Sequence, residues 1–226
     1  MDEFLLRLDL ASYRKKYAAI KIVEMDLDRS IQALKLLYKV YWEEKNFVDF
    51  DEFYRIYKSD LEVEIEAFRR KIGMCSDCFH KGLEARIYRT WASIVTQIHA
   101  GYVAESVFGK GTVSMNEDLD HSGIDILVEY GDTKLNYQIK KNSHRADARK
   151  RPGSKKKNPG IDLDLNYEVI DSKYFENPRT LKGELRAPYK RFSENPNLLR
   201  LPNGFVVFTK TPFELQKYKI DKIKKA

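Results

Sequence analysis

Cysteine is nearly missing from this chain of 226 residues: Cys75 and Cys78 are the only two, so no disulfide framework holds the fold together. Long apolar runs are missing as well. None approaches the roughly 20 residues that a membrane span needs, and no membrane partner is expected. The opening residues Met1-Asp2-Glu3-Phe4-Leu5-Leu6 carry acids where a secretory signal would carry positive charge, so the expectation is a soluble, cytoplasmic protein. A second CxxC or an HxxxH is also lacking. Cys75-Ser76-Asp77-Cys78 followed by His80 is therefore half of a four-ligand zinc site, and the plainer reading is two ordinary cysteines in an inter-helix loop.

What the chain has in excess is positive charge. Lys and Arg number 41 against 34 Asp and Glu, a formal net charge of +7, which favours a polyanionic partner, nucleic acid before an anionic membrane surface. Part of that excess is concentrated. From Lys141 to Lys157 stand Lys141, Arg145, Arg149, Lys150, Arg151, Lys155, Lys156 and Lys157, against the single acid Asp147. Pro152, Gly153, Pro159 and Gly160 break this run into a long loop. Such a loop can neutralise several phosphates, and it can equally be a solvated charge run with no ligand.

Upstream, apolar residues repeat at helical spacing. Ile31, Leu34, Leu37, Tyr38, Tyr41 and Trp42 predict one helix after Asp28 and Ser30; Phe50 to Phe68 predict another, capped by Asp49 and closed by Gly73. Leu83, Ile87, Trp91, Ile94, Val95, Ile98 and Tyr102 predict a long helix over 82–108. The aromatic stripe invites a base-stacking reading, but its spacing is that of a packed core face. Downstream, Thr112–Met115 reads as a short strand, Ile161–Tyr167 alternates strictly as a strand, and Asn177–Gly183 reads as a loop. Residues 186–194 read as a short basic helix, and Gly204–Thr209 as a buried strand. The tail from Phe213 is expected to be peripheral.

Between these lies the most informative stretch. Gly123-Ile124-Asp125-Ile126-Leu127-Val128-Glu129-Tyr130, then Gly131-Asp132, then Thr133-Lys134-Leu135-Asn136-Tyr137-Gln138-Ile139-Lys140 has the form of two strands joined by a two-residue loop. That loop sets Tyr130 opposite Thr133, Val128 opposite Leu135 and Ile126 opposite Tyr137, making one side apolar. The other side then groups Asp125 with Gln138, and Lys140 two residues along. Oxygen ligands suit magnesium: Asp125 offers a carboxylate, Gln138 an amide oxygen, and Ile139 a backbone carbonyl. Lys140 can orient water and touch a phosphate, as phosphodiester hydrolysis requires. The polar solvent face of an edge hairpin accounts for the same three side chains on geometry alone.

Gly-Ile-Asp-Ile, a short hairpin and Gln-Ile-Lys resemble the signature of the PD-(D/E)xK nuclease superfamily, whose members include most type II restriction endonucleases. The resemblance covers residues 84–142, and 186–209 by order of elements. Ile124 stands where the pattern has proline. Gln138 stands where it has Asp or Glu, similar to the QxK variant of some restriction enzymes.

The resemblance implies an α/β (α+β) fold: a restriction-endonuclease-like mixed sheet flanked by helices over 82–226, with a basic recognition insertion at about 141–185. An N-terminal helical region over 1–81 would serve dimerisation or DNA contact. It implies Asp125 and Gln138 as metal ligands and Lys140 as the catalytic lysine, with Glu105 as the helical acid and Glu84 as its alternative. Asp118, Asp120 and His121 lie near enough in sequence to join. Lys141, Asn142, Ser143, Arg145, Arg149, Lys150, Arg151, Lys155 and Lys156 would contact DNA. The implied function is Mg2+-dependent, sequence-specific cleavage of double-stranded DNA by a homodimer, of restriction-modification type. The competing readings are a structure-selective repair nuclease or junction resolvase, and a non-catalytic DNA-binding protein on the same fold.

Overall fold

The computed structural model describes residues 1–18, 20, 26–142, 159–168 and 170–225, without the side chains of Lys141, Asn142, Lys224 and Lys225. The chain divides into two compact units, Met1–Ile98 and His99–Ala226.

The first unit is helical: α1 Asp2–Arg7, α2 Leu10–Ala18, α3 Leu34–Leu37, α4 Phe50–Asp60, α5 Glu62–Ile72, and the part of α6 (Ser76–Phe108) that precedes His99. Asp49 caps α4, its carboxylate accepting the Glu52 N–H at 3.0 Å, and Gly73 ends α5 with φ +66°. One helix was expected over 50–73, but Leu61 (φ −122°, ψ 22°) breaks it. The helix expected after Asp28 is also split, into a 3-10 turn at Arg29–Ile31, α3, and a π-helix at Tyr38–Glu43. Tyrosine hydroxyls bond to the backbone at both ends of this split segment. Tyr57 Oη donates to the Ile31 carbonyl at 2.6 Å, and Tyr41 Oη donates to that of Val48 at 2.6 Å while accepting Trp91 Nε1–H at 2.7 Å. A buried tyrosine usually finds a partner for its hydroxyl, and these two find backbone carbonyls.

Phe50, Phe53, Tyr57, Tyr41 and Trp91 are wholly buried, each worth roughly 1.5–3 kcal/mol of burial. The aromatic stripe is thus this unit's core and not an open stacking platform. Helix α6 starts earlier than the predicted 82, so Cys78 and His80 sit in its first turns rather than in a loop. His80 Nε2 lies 3.1 Å from Glu66 Oε1.

The second unit holds the sheet. Strands β1 Val113–Ser114, β2 Ile126–Tyr130, β3 Thr133–Asn142 and β4 Ile161–Glu168 lie in the order β1-β2-β3-β4; β1–β2 and β2–β3 are antiparallel and β3–β4 parallel. Helix α7, Glu117–His121, precedes β2, while α8 Lys173–Glu176, α9 Ala187–Ser193, the antiparallel pair β5 Leu198–Arg200 and β6 Val206–Phe208, and α10 Thr211–Lys225 follow β4. The expected mixed α/β architecture is present.

The β2–β3 register is the one that the Gly131-Asp132 loop dictates, with Tyr130 opposite Thr133, Val128 opposite Leu135 and Ile126 opposite Tyr137. Ile126, Val128 and Leu135 are fully buried, and Tyr137 nearly so. The tail corrects an expectation, for α10 is no peripheral segment. Phe213 is fully buried edge-on to Tyr137 at 5.3 Å, Asp221 Oδ1 accepts from Tyr130 Oη at 3.1 Å, and Lys217 Nζ donates to the Val107 carbonyl at 2.7 Å. The lysine count of the tail hid a helix that is anchored through a few well-placed residues.

Candidate active site

Two pieces of local folding build the site. The first is the β2–β3 hairpin. Its ladder ends at the Ile126–Tyr137 pair, and one residue beyond it the Asp125 N–H donates to the Tyr137 carbonyl at 2.9 Å. The Asp125 side chain then takes over from backbone pairing: Oδ2 accepts the Ile139 N–H at 2.5 Å. The carboxylate is thereby held against the backbone between Gln138 and Lys140. Asp125 is 8% exposed, whereas Gln138 is half-buried and Lys140 exposed.

The second piece is the turn from α7 into β2. Asn116 caps α7 by accepting the Leu119 N–H at 2.9 Å. After Ser122 the chain reverses, with Gly123 N–H on the Asp120 carbonyl and Ile124 N–H on the Leu119 carbonyl, both at 2.9 Å. Gly123 takes φ +86°, a left-handed conformation that costs a side-chain-bearing residue roughly 1–2 kcal/mol. This reversal carries Asp120 back to Asp125, and the two carboxyl groups share a hydrogen bond.

The electrostatics follow. Burial pushes the Asp125 carboxyl up to about 7, and Asp120 pushes the same way, against the Ile139 N–H and the Lys140 ammonium. Two carboxylates at one place with little water resist being charged together. Lys140 Nζ is 2.6 Å from Asp164 Oδ2. Asp164 lies on β4 in register with Gln138, so both side chains project from the same face of the sheet. Lys140 and Asp164 are both about half exposed, and such a pair fixes direction more than it adds stability.

Asp125, Gln138, Ile139 and Lys140 are thus together. Glu105 is engaged elsewhere, for its Oε1 accepts the Gly111 N–H at 2.9 Å and braces the loop after α6. Glu84, the alternative, belongs to the first unit and holds Lys16 Nζ at 2.8 Å and Tyr17 Oη at 2.6 Å. His121 lies 3.6 Å from Glu117, and Asp118 is exposed. Among the described residues no three His, Cys, Asp or Glu side chains gather where they could hold a metal ion. The oxygen donors here are two carboxylates, an amide and a carbonyl.

Asp164 was not foreseeable from the sequence, because nothing local to the alternating segment 161–167 says which strand it will join. Asp120 was visible only as one of several acids before the hairpin. Of the residues expected to touch DNA, Lys141 and Asn142 end β3 with side chains outside the described residues. Ser143, Arg145, Arg149, Lys150, Arg151, Lys155 and Lys156 lie outside them altogether. No described helix is long and apolar enough to cross a membrane.

Comparison with known proteins adds the context that geometry lacks. A family model described as TaqI restriction endonuclease matches residues 1–216. Type II restriction enzyme TaqI of Thermus aquaticus is 33% identical over 215 residues, covering 92% of this chain and 81% of that protein. Type II restriction enzyme TthHB8I of Thermus thermophilus is 33% identical over 217 residues, with the same shares covered. No solved structure matches significantly.

Proposed function

Since this chain belongs to the TaqI restriction endonuclease family, we propose that it hydrolyses phosphodiester bonds of double-stranded DNA at a specific sequence, with magnesium as cofactor and as a homodimer. What carries the reading is the Asp125 carboxylate clasped to the Ile139 N–H between Gln138 and Lys140, in a chain whose relatives are named type II restriction enzymes. Two-fold symmetry of the protein would match a palindromic target.

The donor set fits a hard divalent cation. Burial, and after it the neighbouring Asp120 carboxyl, keep Asp125 from ionising easily, and a cation would offset both. Gln138 and the Ile139 carbonyl add neutral oxygens, and magnesium takes one or two carboxylates while keeping several waters. With Glu105 engaged by Gly111, Asp120 is our candidate for the second carboxylate. When bound, the ion supplies Lewis-acid stabilisation of the charge that develops on the phosphate.

The chain's own residues do the rest. The Ile139 N–H fixes the Asp125 carboxylate so that it needs no reorganisation on binding. The Lys140 ammonium, held by Asp164 at 2.6 Å, is placed to turn to a phosphate oxygen or the attacking water. Gln138 contributes an oxygen without a third negative charge. The basic segment, with Arg145, Arg149, Lys150, Arg151, Lys155 and Lys156 following Lys141, Asn142 and Ser143, neutralises phosphates and reaches base edges.

Incubation with plasmid DNA and magnesium tests this directly. Discrete fragments are expected from the parent protein. The Lys140→Ala variant should give none while still retaining DNA in a mobility-shift assay. Absence of cleavage in magnesium or manganese, with tight binding intact, would overturn the endonuclease reading in favour of a non-catalytic DNA binder. Nicking confined to branched DNA would replace it with a repair nuclease.

A further inference from the structure

Outside the site, one small element is built with more bracing than a surface connection needs. Residues 178–186, expected to begin as a simple loop, form a miniature hairpin. The Thr180 N–H donates to the Glu184 carbonyl at 2.8 Å, Gly183 N–H to that of Thr180 at 2.9 Å, and Arg186 N–H to that of Pro178 at 2.8 Å. Arg179 and Leu185 bridge across it, and Gly183 turns it with φ +82°. Two arginines each commit one guanidinium nitrogen to its backbone, Arg179 Nη1 to the Gly183 carbonyl at 2.6 Å and Arg186 Nε to the carbonyls of Asn177 and Arg179 at 3.1 Å, which leaves their other N–H groups for a ligand.

The tip of this braced turn is apolar. Leu181 is 108% exposed, the most exposed of the large hydrophobic residues among those described. A lone exposed leucine is ordinary; one at the summit of a rigid turn, between cations, is not. From 178 to 191 the chain has Arg179, Lys182, Arg186, Lys190 and Arg191 against Glu184 alone. Among the described residues no carboxylate pairs with Arg179, Lys182 or Arg186.

Helix α9, which follows the hairpin directly, is tied to the end of β4 that lies beside the Lys140 end of β3. Arg191 on α9 pairs with Glu168 at 3.0 Å, and Glu168 lies in register with Asn142, two residues past Lys140. Phe175 packs edge-on to Phe192 at 5.2 Å and beneath the Arg200 guanidinium at 4.3 Å, which anchors α9 behind the turn.

We propose that the 178–186 hairpin is a DNA-probing element, in which Leu181 wedges against a base step of the bound duplex while Arg179, Lys182 and Arg186 line the flanking phosphates. This rests on the endonuclease reading. Apolar wedges that partly unstack a step, framed by cations on the backbone, are a general means of holding bent DNA, and a rigid tip loses little entropy on insertion.

The test is duplex binding in the Lys140→Ala background, where nothing is cut, with 2-aminopurine placed in turn along a cleaved duplex. Leu181→Ala should weaken binding about tenfold, the weight of one good interface anchor, and abolish the 2-aminopurine signal. Leu181→Met should restore both, and Lys182→Ala should lower the salt slope by about one. The melting temperature should not move, because the Leu181 side chain is fully open to solvent. A Leu181→Ala protein that binds and signals like its parent overturns the proposal while leaving the endonuclease intact. A parent that binds no duplex overturns the endonuclease reading, and this proposal with it. Dissociation of a dimer by Leu181→Glu without DNA would reassign the tip to contact between copies and overturn the wedge.

Discussion

The sharpest quantitative consequence concerns Asp125 without metal. Burial and the neighbouring Asp120 raise its carboxyl from the ordinary 3.8 to about 7, a displacement worth ~4 kcal/mol. Asp125 is 8% exposed, so solvent screening does little to reduce that figure. Below about pH 4 the carboxyl is protonated whether the chain is folded or not, and the penalty is absent. Between about 4 and 7 the unfolded chain has released the proton that the folded one still holds, so stability falls as pH rises. Above 7 the penalty is complete. Replacing the carboxylate by its neutral isostere, Asp125→Asn, removes it and keeps an oxygen to accept from Ile139, losing ~1–2 kcal/mol of charge-assisted hydrogen bonding.

Asp125→Asn should therefore stabilise the metal-free protein by ~2–3 kcal/mol at pH 8 and leave it unchanged or slightly weaker at pH 5. For a chain of this size the pH 8 gain corresponds to a rise of about 5–10 °C in melting temperature. Thermal melts followed by circular dichroism in EDTA at the two pH values measure it. Adding magnesium at pH 8 should raise the parent and not the variant. A variant that melts at or below its parent at pH 8 in EDTA would refute the argument that this carboxylate is held in charge conflict.

Three further outcomes follow from the placement of other residues. Glu105→Gln should cleave within about threefold of the parent, because an amide oxygen still accepts from Gly111, whereas Asp120→Asn should lose at least about a hundredfold; the opposite pattern in a plasmid assay would return Glu105 to the metal. Phe213→Ala should cost roughly 3–5 kcal/mol in urea unfolding, and a loss under about 1 kcal/mol would mean that α10 is as peripheral as its lysines suggest. Arg149→Ala should lower the slope of log binding constant against log salt by about one; an unaltered slope would remove that arginine from the DNA footprint.

What could be read from the amino-acid order was whatever depends on neighbours in the chain. Gly131-Asp132 sets the β2–β3 register by itself, the alternation in Ile161–Tyr167 marks a strand, and Asp49 and Gly73 mark helix ends. Each is decided within a few residues. What escaped depends on distant partners. Where the helix after Asp28 breaks, Tyr57 and Tyr41 bond to the carbonyls of Ile31 and Val48, and α10 packs because Tyr137 presents a face to Phe213.

Gln138 shows how the two kinds of information meet. In sequence it is a departure from the expected carboxylate, which weakens the motif. In the fold it stands beside Asp164 on β4 and follows Tyr137, whose carbonyl receives the Asp125 N–H. Asp125 already shares a hydrogen bond with Asp120 and is held up to about 7. A carboxylate at position 138 would add a negative charge beside Asp125, which burial already makes hard to ionise. An amide keeps the oxygen and omits the charge.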